Sequence, residues 1–126
     1  MKKNAILLVE DDRAFRKALA FELEGEGFAV TEASDGAEAI GLLKTENFDF
    51  VISDVMMPGA SGLEVYASAM SCQPRPGFIA ISAYDESETA QELAVKLEER
   101  FFKKPFELSA LIAKIKEDSH DIIQKH

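Results

Sequence analysis

Cysteine is nearly absent: Cys72 stands alone, with no second cysteine and no nearby histidine. A disulfide framework and a soft-metal site are thereby excluded, and a reducing, cytoplasmic setting is expected. Basic runs are missing as well. The 14 lysines and arginines face 23 aspartates and glutamates, a net charge of -9, and no helix is patterned with basic residues. Direct attraction to nucleic acid or to an anionic membrane is therefore not expected, and the partners should be proteins. Nor is there a long apolar run. Met1-Lys2-Lys3-Asn4 leads straight into a strand of a few apolar residues, too short for a secretory signal or a membrane span. With 126 residues, one core suffices; about two thirds of the unfolded surface of such a chain is buried on folding.

What is present is an alternation of short apolar runs and amphipathic segments. Ala5–Val9 reads as a strand. Residues 12–24 follow as a helix, with Phe15, Ala18, Leu19 and Leu23 on one face before Gly25 and Gly27. Residues 28–33 form the next strand, and residues 35–45 a helix turning Ala39, Ile40, Leu42 and Leu43 inward. Residues 48–53 are the third strand and Gly62–Met70 the third helix; Pro74, Pro76 and Gly77 reset the chain for a strand over residues 78–81. A fourth helix over residues 87–98 carries Ala90, Leu93, Ala94 and Leu97. A short strand at Phe101 and a last helix with Leu108, Leu111, Ile112 and Ile115 complete five strand-helix units. Such alternation predicts an α/β fold, a parallel sheet with helices on both faces, because each parallel connection needs a crossover.

In an open sheet of this kind, reactive groups collect at the carboxyl ends of the strands. Glu10, Asp11, Asp54, Ser82 and Lys104 all fall there. Each has an ordinary reading when taken singly. Glu10-Asp11-Asp12 suits a helix N-terminus capped by Asp12. Asp54 could open a turn, Lys104 could be a surface lysine, and Ser82 could cap the fourth helix. Their coincidence at successive strand ends favours a site. Converging carboxylates repel by about 4 kcal/mol per pair at 4 Å and an effective dielectric of 20, so cations are needed. Mg²⁺, helped by a backbone carbonyl at Met56, together with Lys104 would balance three ionised acids. A phosphoryl group could then approach Asp54 as nucleophile, with Ser82 and Lys104 stabilising it.

These residues resemble the receiver domain of two-component response regulators (CheY-like) across essentially the whole chain. The resemblance rests on Leu7-Leu8-Val9-Glu10-Asp11-Asp12, Asp54-Val55-Met56-Met57-Pro58 through Gly62-Leu63-Glu64, Ile81-Ser82-Ala83, and Phe101-Phe102-Lys103-Lys104-Pro105-Phe106. It implies a flavodoxin-like, doubly wound five-stranded sheet, (βα)5, in the order 2-1-3-4-5. It implies that Asp54 takes a phosphoryl group from the phosphohistidine of a sensor histidine kinase or phosphotransfer protein. Mg²⁺ would be held by Asp11, Asp54 and the Met56 carbonyl, and by Glu10 through water. Ser82 and Lys104 would hold the phosphate, Phe101 would be the switch aromatic, and Lys104-Pro105 would be a cis peptide. The output face would be helix four, strand five and helix five, met by a downstream protein or a fused output domain, with a phosphorylation-dependent homodimer as an open alternative.

Several positions depart from the family pattern. Ser82 stands in place of the commoner threonine, Phe101 lacks a tyrosine hydroxyl, and Leu97-Glu98-Glu99-Arg100 replaces the usual Gly-Ala before the fifth strand. Met56 and Tyr84, expected to flank the path of attacking water, have no carboxylate or amide to orient it, so a long-lived acyl phosphate is expected. A haloacid-dehalogenase-like phosphatase would need a second Asp where Met56 stands and a cap insertion. A flavodoxin-like cofactor carrier would need a phosphate loop where Glu10-Asp11-Asp12 stands. The remaining alternative is a phosphorylation-independent pseudo-receiver, which would lack one of the acids, the acceptor or the lysine. The receiver is expected over residues 1–118, with residues 119–126 as a helix extension or linker in which Ile122 and Ile123 prolong the apolar face. No output domain follows in this sequence, which suits either a single-domain regulator or the first part of a longer protein.

Overall fold

The structure is a computed structural model that describes residues 4–57, 59–83 and 87–124, with side chains described as far as Asp118. Five parallel strands, β1 (Ala5–Val9), β2 (Ala29–Ala33), β3 (Phe50–Asp54), β4 (Gly77–Ser82) and β5 (Phe101–Lys103), form one sheet in the order β2-β1-β3-β4-β5. The helices between and after them are α1 (Arg13–Gly25), α2 (Gly36–Thr45), α3 (Gly62–Met70), α4 (Glu88–Leu97) and α5 (Leu108–Gln124).

Both faces of the sheet are covered, so the central strands are apolar at consecutive positions. Alternate residues go to opposite cores. Ile6, Leu8, Phe50, Ile52, Ile79 and Ile81 meet Leu19, Ala20 and Leu23 of α1 and Leu111 and Ile115 of α5. Leu7, Val9, Val51, Phe78 and Ala80 meet α2, α3 and α4, through residues such as Leu43, Val65 and Leu93. The helix starts are fixed by side-chain caps. Asp12, Asp35, Ser61 and Ser87 accept the backbone N–H of Phe15, Glu38, Glu64 and Ala90, at 3.1, 2.8, 3.3 and 3.0 Å respectively.

Four expectations shift. Asp54 and Ser82 are the last residues of β3 and β4 rather than the first of the loops, because Asp54 stays in register with Ile81 and Ser82 with Lys103. Ser87, and not Ser82, caps α4. Ala18 is exposed while Ala20 is buried, so the inward face of α1 is turned slightly from the expected one. Phe28 lies before β2 and is buried there by packing. The departure before β5 has a backbone consequence: Glu98 ends α4 at φ 53°, left-handed without being glycine, and a 3-10 turn over Glu98–Arg100 leads into β5. Lys104-Pro105 is cis, as is Gln73-Pro74. Ile122 and Ile123 lie outside the residues whose side chains are described. No helix among the described residues is long and apolar enough to cross a membrane.

Candidate functional site

The strand order places β1 and β3 side by side, with β2 leading away on one flank and β4 and β5 on the other. Connections diverge at that junction and leave a crevice beyond the carboxyl ends. Glu10 follows β1 directly. It is 1% exposed, and its backbone N–H donates to the Ala33 carbonyl at the end of β2. Asp54 ends β3 and is also buried; its Oδ1 accepts the Val55 N–H at 2.8 Å. Asp11 is exposed at the mouth. One carboxylate oxygen from each of Glu10, Asp11 and Asp54 lies within 4.8 Å of the others.

Lys104 enters from the end of β5. Its backbone N–H donates to the Ser82 carbonyl at 2.8 Å, which ties its loop to β4. Its ammonium donates to Glu10 Oε2 at 3.1 Å and Oε1 at 3.3 Å, and sits 3.6 Å from Asp54 Oδ2. This single lysine does not satisfy the crevice. The Glu10 carboxyl is raised to about 7, by burial first and by the Asp54 charge second, and the Lys104 contacts only partly offset both. The donor set is all oxygen and anionic, and it is under-compensated. A hard divalent cation of the Mg²⁺ type fits it.

Ser82 is fully buried at the end of β4. Phe101, paired with Ala80, is half-buried against the core beneath α2, α3 and α4. Met56 is 48% exposed two residues beyond Asp54, and Tyr84 lies outside the described residues. Glu10, Asp11, Asp54 and Lys104 are thus brought into one cluster, with Ser82 at the neighbouring strand end and Phe101 two residues upstream of Lys103 on β5.

Residues 6–116 match the family model of the response regulator receiver domain. The chain belongs to that family. It is 37% identical over 112 residues to the response regulator MprA of Mycolicibacterium vanbaalenii, an alignment covering 88% of this chain and 48% of that protein. It is also 37% identical over 110 residues to a cyclic di-GMP phosphodiesterase of Thermotoga maritima, covering 87% of this chain and 29% of that one. The chain therefore spans half or less of the length of these two curated relatives. Among solved structures, the response regulator TrrA of Thermotoga maritima, in complex with Mg²⁺-BeF, is 32% identical with a TM-score of 0.78, over 90% of this chain and 97% of that one. A CheY-like receiver domain protein of Methanospirillum hungatei shares the fold with a TM-score of 0.87 at 24% identity, over 99% of this chain and 100% of that one.

As a receiver domain of two-component response regulators, the chain is a module of phosphorelay signalling. Around its crevice are three features that its sequence did not announce. Arg16 Nη1 donates to the Glu10 carbonyl at 2.8 Å while its Nε donates to Glu32 Oε1 at 2.9 Å, so α1 and β2 together hold the acidic loop. Gly36, at the start of α2, lies so close to Ala60 that any Cβ there would strike its carbonyl, which fixes the loop after Asp54 against α2. The Phe15 ring lies under Lys104, with the ammonium 4.4 Å from its centroid. The sequence signal for Phe15 was its place on the inward face of α1, which points to the core and not to a lysine 89 positions away.

Proposed function

We propose that this receiver accepts a phosphoryl group on Asp54 from the phosphohistidine of a sensor histidine kinase or phosphotransfer protein. The observation that carries the proposal is the placement of Lys104 Nζ 3.6 Å from Asp54 Oδ2 in a crevice that also gathers Glu10 and Asp11. An Asp54 carboxylate oxygen bonds to phosphorus as the P–N bond to the donor imidazole breaks, and the imidazole leaves with its electron pair and takes up a proton. No general base is needed. Asp11, Asp54 and the Met56 carbonyl would hold Mg²⁺, and Glu10 would reach it through water; the ion would supply charge neutralisation and orientation of phosphoryl oxygens. Lys104 would pair with the transferred group and the Ser82 hydroxyl would donate to it.

The phosphate's added charge and acceptor oxygens then draw Ser82 and Lys104 inward, with Phe101 following into the space released. The surface of α4, β5 and α5 would present that change to a downstream protein or a fused output domain in the cytoplasm, or to a second copy. Residues 1–118 would form this receiver, with residues 119–126 as a helix extension or linker. The domain acts as a switch that promotes its own phosphorylation and dephosphorylation. The pseudo-receiver alternative loses support, since the acids, the acceptor and the lysine are all present.

Intact mass after incubation with acetyl phosphate, with and without Mg²⁺, tests the proposal. The expected result is a Mg²⁺-dependent gain of one phosphoryl group that Asp54→Ala abolishes. An unmodified wild-type mass in the presence of Mg²⁺ would leave a constitutive interaction module instead.

A further inference from the structure

We infer that Phe15 is a positioning residue for phosphoryl transfer: the face of its ring holds the Lys104 ammonium where the incoming phosphoryl oxygens need it. The inference rests on the role proposed for Lys104. Glu10 and Asp54 already attract this ammonium, but both are carboxylates that neutralise the charge they hold and that a divalent cation would engage. An aromatic face is a different kind of partner. It attracts a cation through its quadrupole, carries no net charge and does not compete as a metal ligand. The ammonium 4.4 Å above the Phe15 centroid can therefore keep that contact when the carboxylates turn to the metal, with its full charge still available to a phosphate.

The ring is itself held on several sides. The Phe15 N–H is donated to the Asp12 cap at 3.1 Å, which fixes the first turn of α1. The edge-to-face partner of Phe15 is Phe106, 6.2 Å away at 81°, and Phe106 in turn meets Phe102 at 5.9 Å and 66°. Phe102 and Phe106 flank Lys104 along the chain. The three rings thus link α1 to both ends of the segment that carries the lysine. Phe15, Lys104 and Phe106 also line a largely apolar, solvent-open pocket of about 240 Å³ between α1 and the start of α5, so on that side the lysine stem runs along carbon.

Replacement of Phe15 by mono-, di- and trifluorophenylalanine weakens the ring quadrupole stepwise while nearly preserving its shape. The measurement is the rate of Asp54 phosphorylation by acetyl phosphate at saturating Mg²⁺, in the wild-type and Lys104→Met backgrounds, with the melting temperature of each variant. The expected result is a graded fall, roughly three- to tenfold across the series, that is absent with Lys104→Met and not matched by a fall in melting temperature. Phe15→Tyr should retain the rate and Phe15→Leu should lose it. Equal rates along the series, or an equal fall without Lys104, would overturn the inference and leave the functional proposal standing. If the unmodified chain gains no phosphoryl group at all, the functional proposal fails and this inference fails with it.

Discussion

Arg100 grips Asp118 with two parallel bonds, Nε to Oδ2 at 2.7 Å and Nη2 to Oδ1 at 2.8 Å, and so joins the residue before β5 to α5. The carboxylate is buried at 8% exposure, and its hydrogen bonds, helped by its charge, raise the Arg100 guanidinium above its ordinary pKa. Because Arg100 is partly open to solvent, the pair is worth less than its geometry suggests, about 1 kcal/mol. Asp118→Asn should therefore lower the melting temperature by about 4 °C. Thermal unfolding of Asp118→Asn, Arg100→Gln and the double variant checks this. Additive losses would show that the two side chains do not act as a pair.

A second ion pair sets an acid limit on stability. Burial alone would raise the Glu32 carboxyl, but donation from Arg16 and Lys17 outweighs it and holds the group below the ordinary value of 4.5. A lowered carboxyl stabilises the fold above its unfolded pKa, and that contribution is lost as pH falls through the folded value. The wild type should thus exceed Glu32→Gln in stability at pH 7, with the gap closing below about pH 4.5. Urea unfolding between pH 7 and pH 3 reads it directly. A gap that stays constant with pH would detach the effect from this titration.

The two ion pairs also mark where sequence reading ends. Strand-helix alternation was legible because it follows from repeating apolar positions, and Glu10, Asp11, Asp54 and Lys104 were legible because topology sends strand ends to one edge. Arg16, Glu32 and Phe15 were not. The ion-pair partners of Arg16 and Glu32 and the lysine over Phe15 lie at least 15 positions away on other elements, and nothing local distinguishes these residues from ordinary ones of an amphipathic helix and an edge strand. The same limit explains Asp54 and Ser82, expected just beyond their strands. Composition there suggests a turn, while pairing with Ile81 and Lys103 keeps both residues in the sheet. Glu98 shows the converse: the missing glycine was visible, but its left-handed backbone was not.

Repulsion within the crevice predicts a stability cost for Asp54. Asp54 is buried beside Glu10 and contributes to raising its carboxyl to about 7, so the ionised pair is destabilising without a divalent cation. Asp54→Asn should stabilise the metal-free domain at pH 8 by about 1–2 kcal/mol, a fraction of the full pairwise repulsion because Lys104 already offsets part of it. Mg²⁺ should raise the melting temperature of the wild type and have much less effect on the variant. Calorimetry at pH 8 with and without Mg²⁺ decides the matter. Loss of stability in Asp54→Asn would mean that its ion pair with Lys104 outweighs the repulsion.

Hydrolysis of the acyl phosphate proposed on Asp54 would need a water aligned with phosphorus, and alignment comes from a hydrogen-bonding group beside the path. Met56, 48% exposed and two residues past Asp54, has a thioether there, which accepts hydrogen bonds only weakly. A long-lived phosphorylated state is the expected outcome. Met56→Asn would add a donor and an acceptor in the same place without adding charge, and should shorten the lifetime several-fold at unchanged Mg²⁺. The decay of phosphorylated protein, followed by intact mass after removal of the donor, measures both. A wild-type half-life of only seconds, or a Met56→Asn variant that decays no faster, would assign the control of lifetime to residues other than Met56.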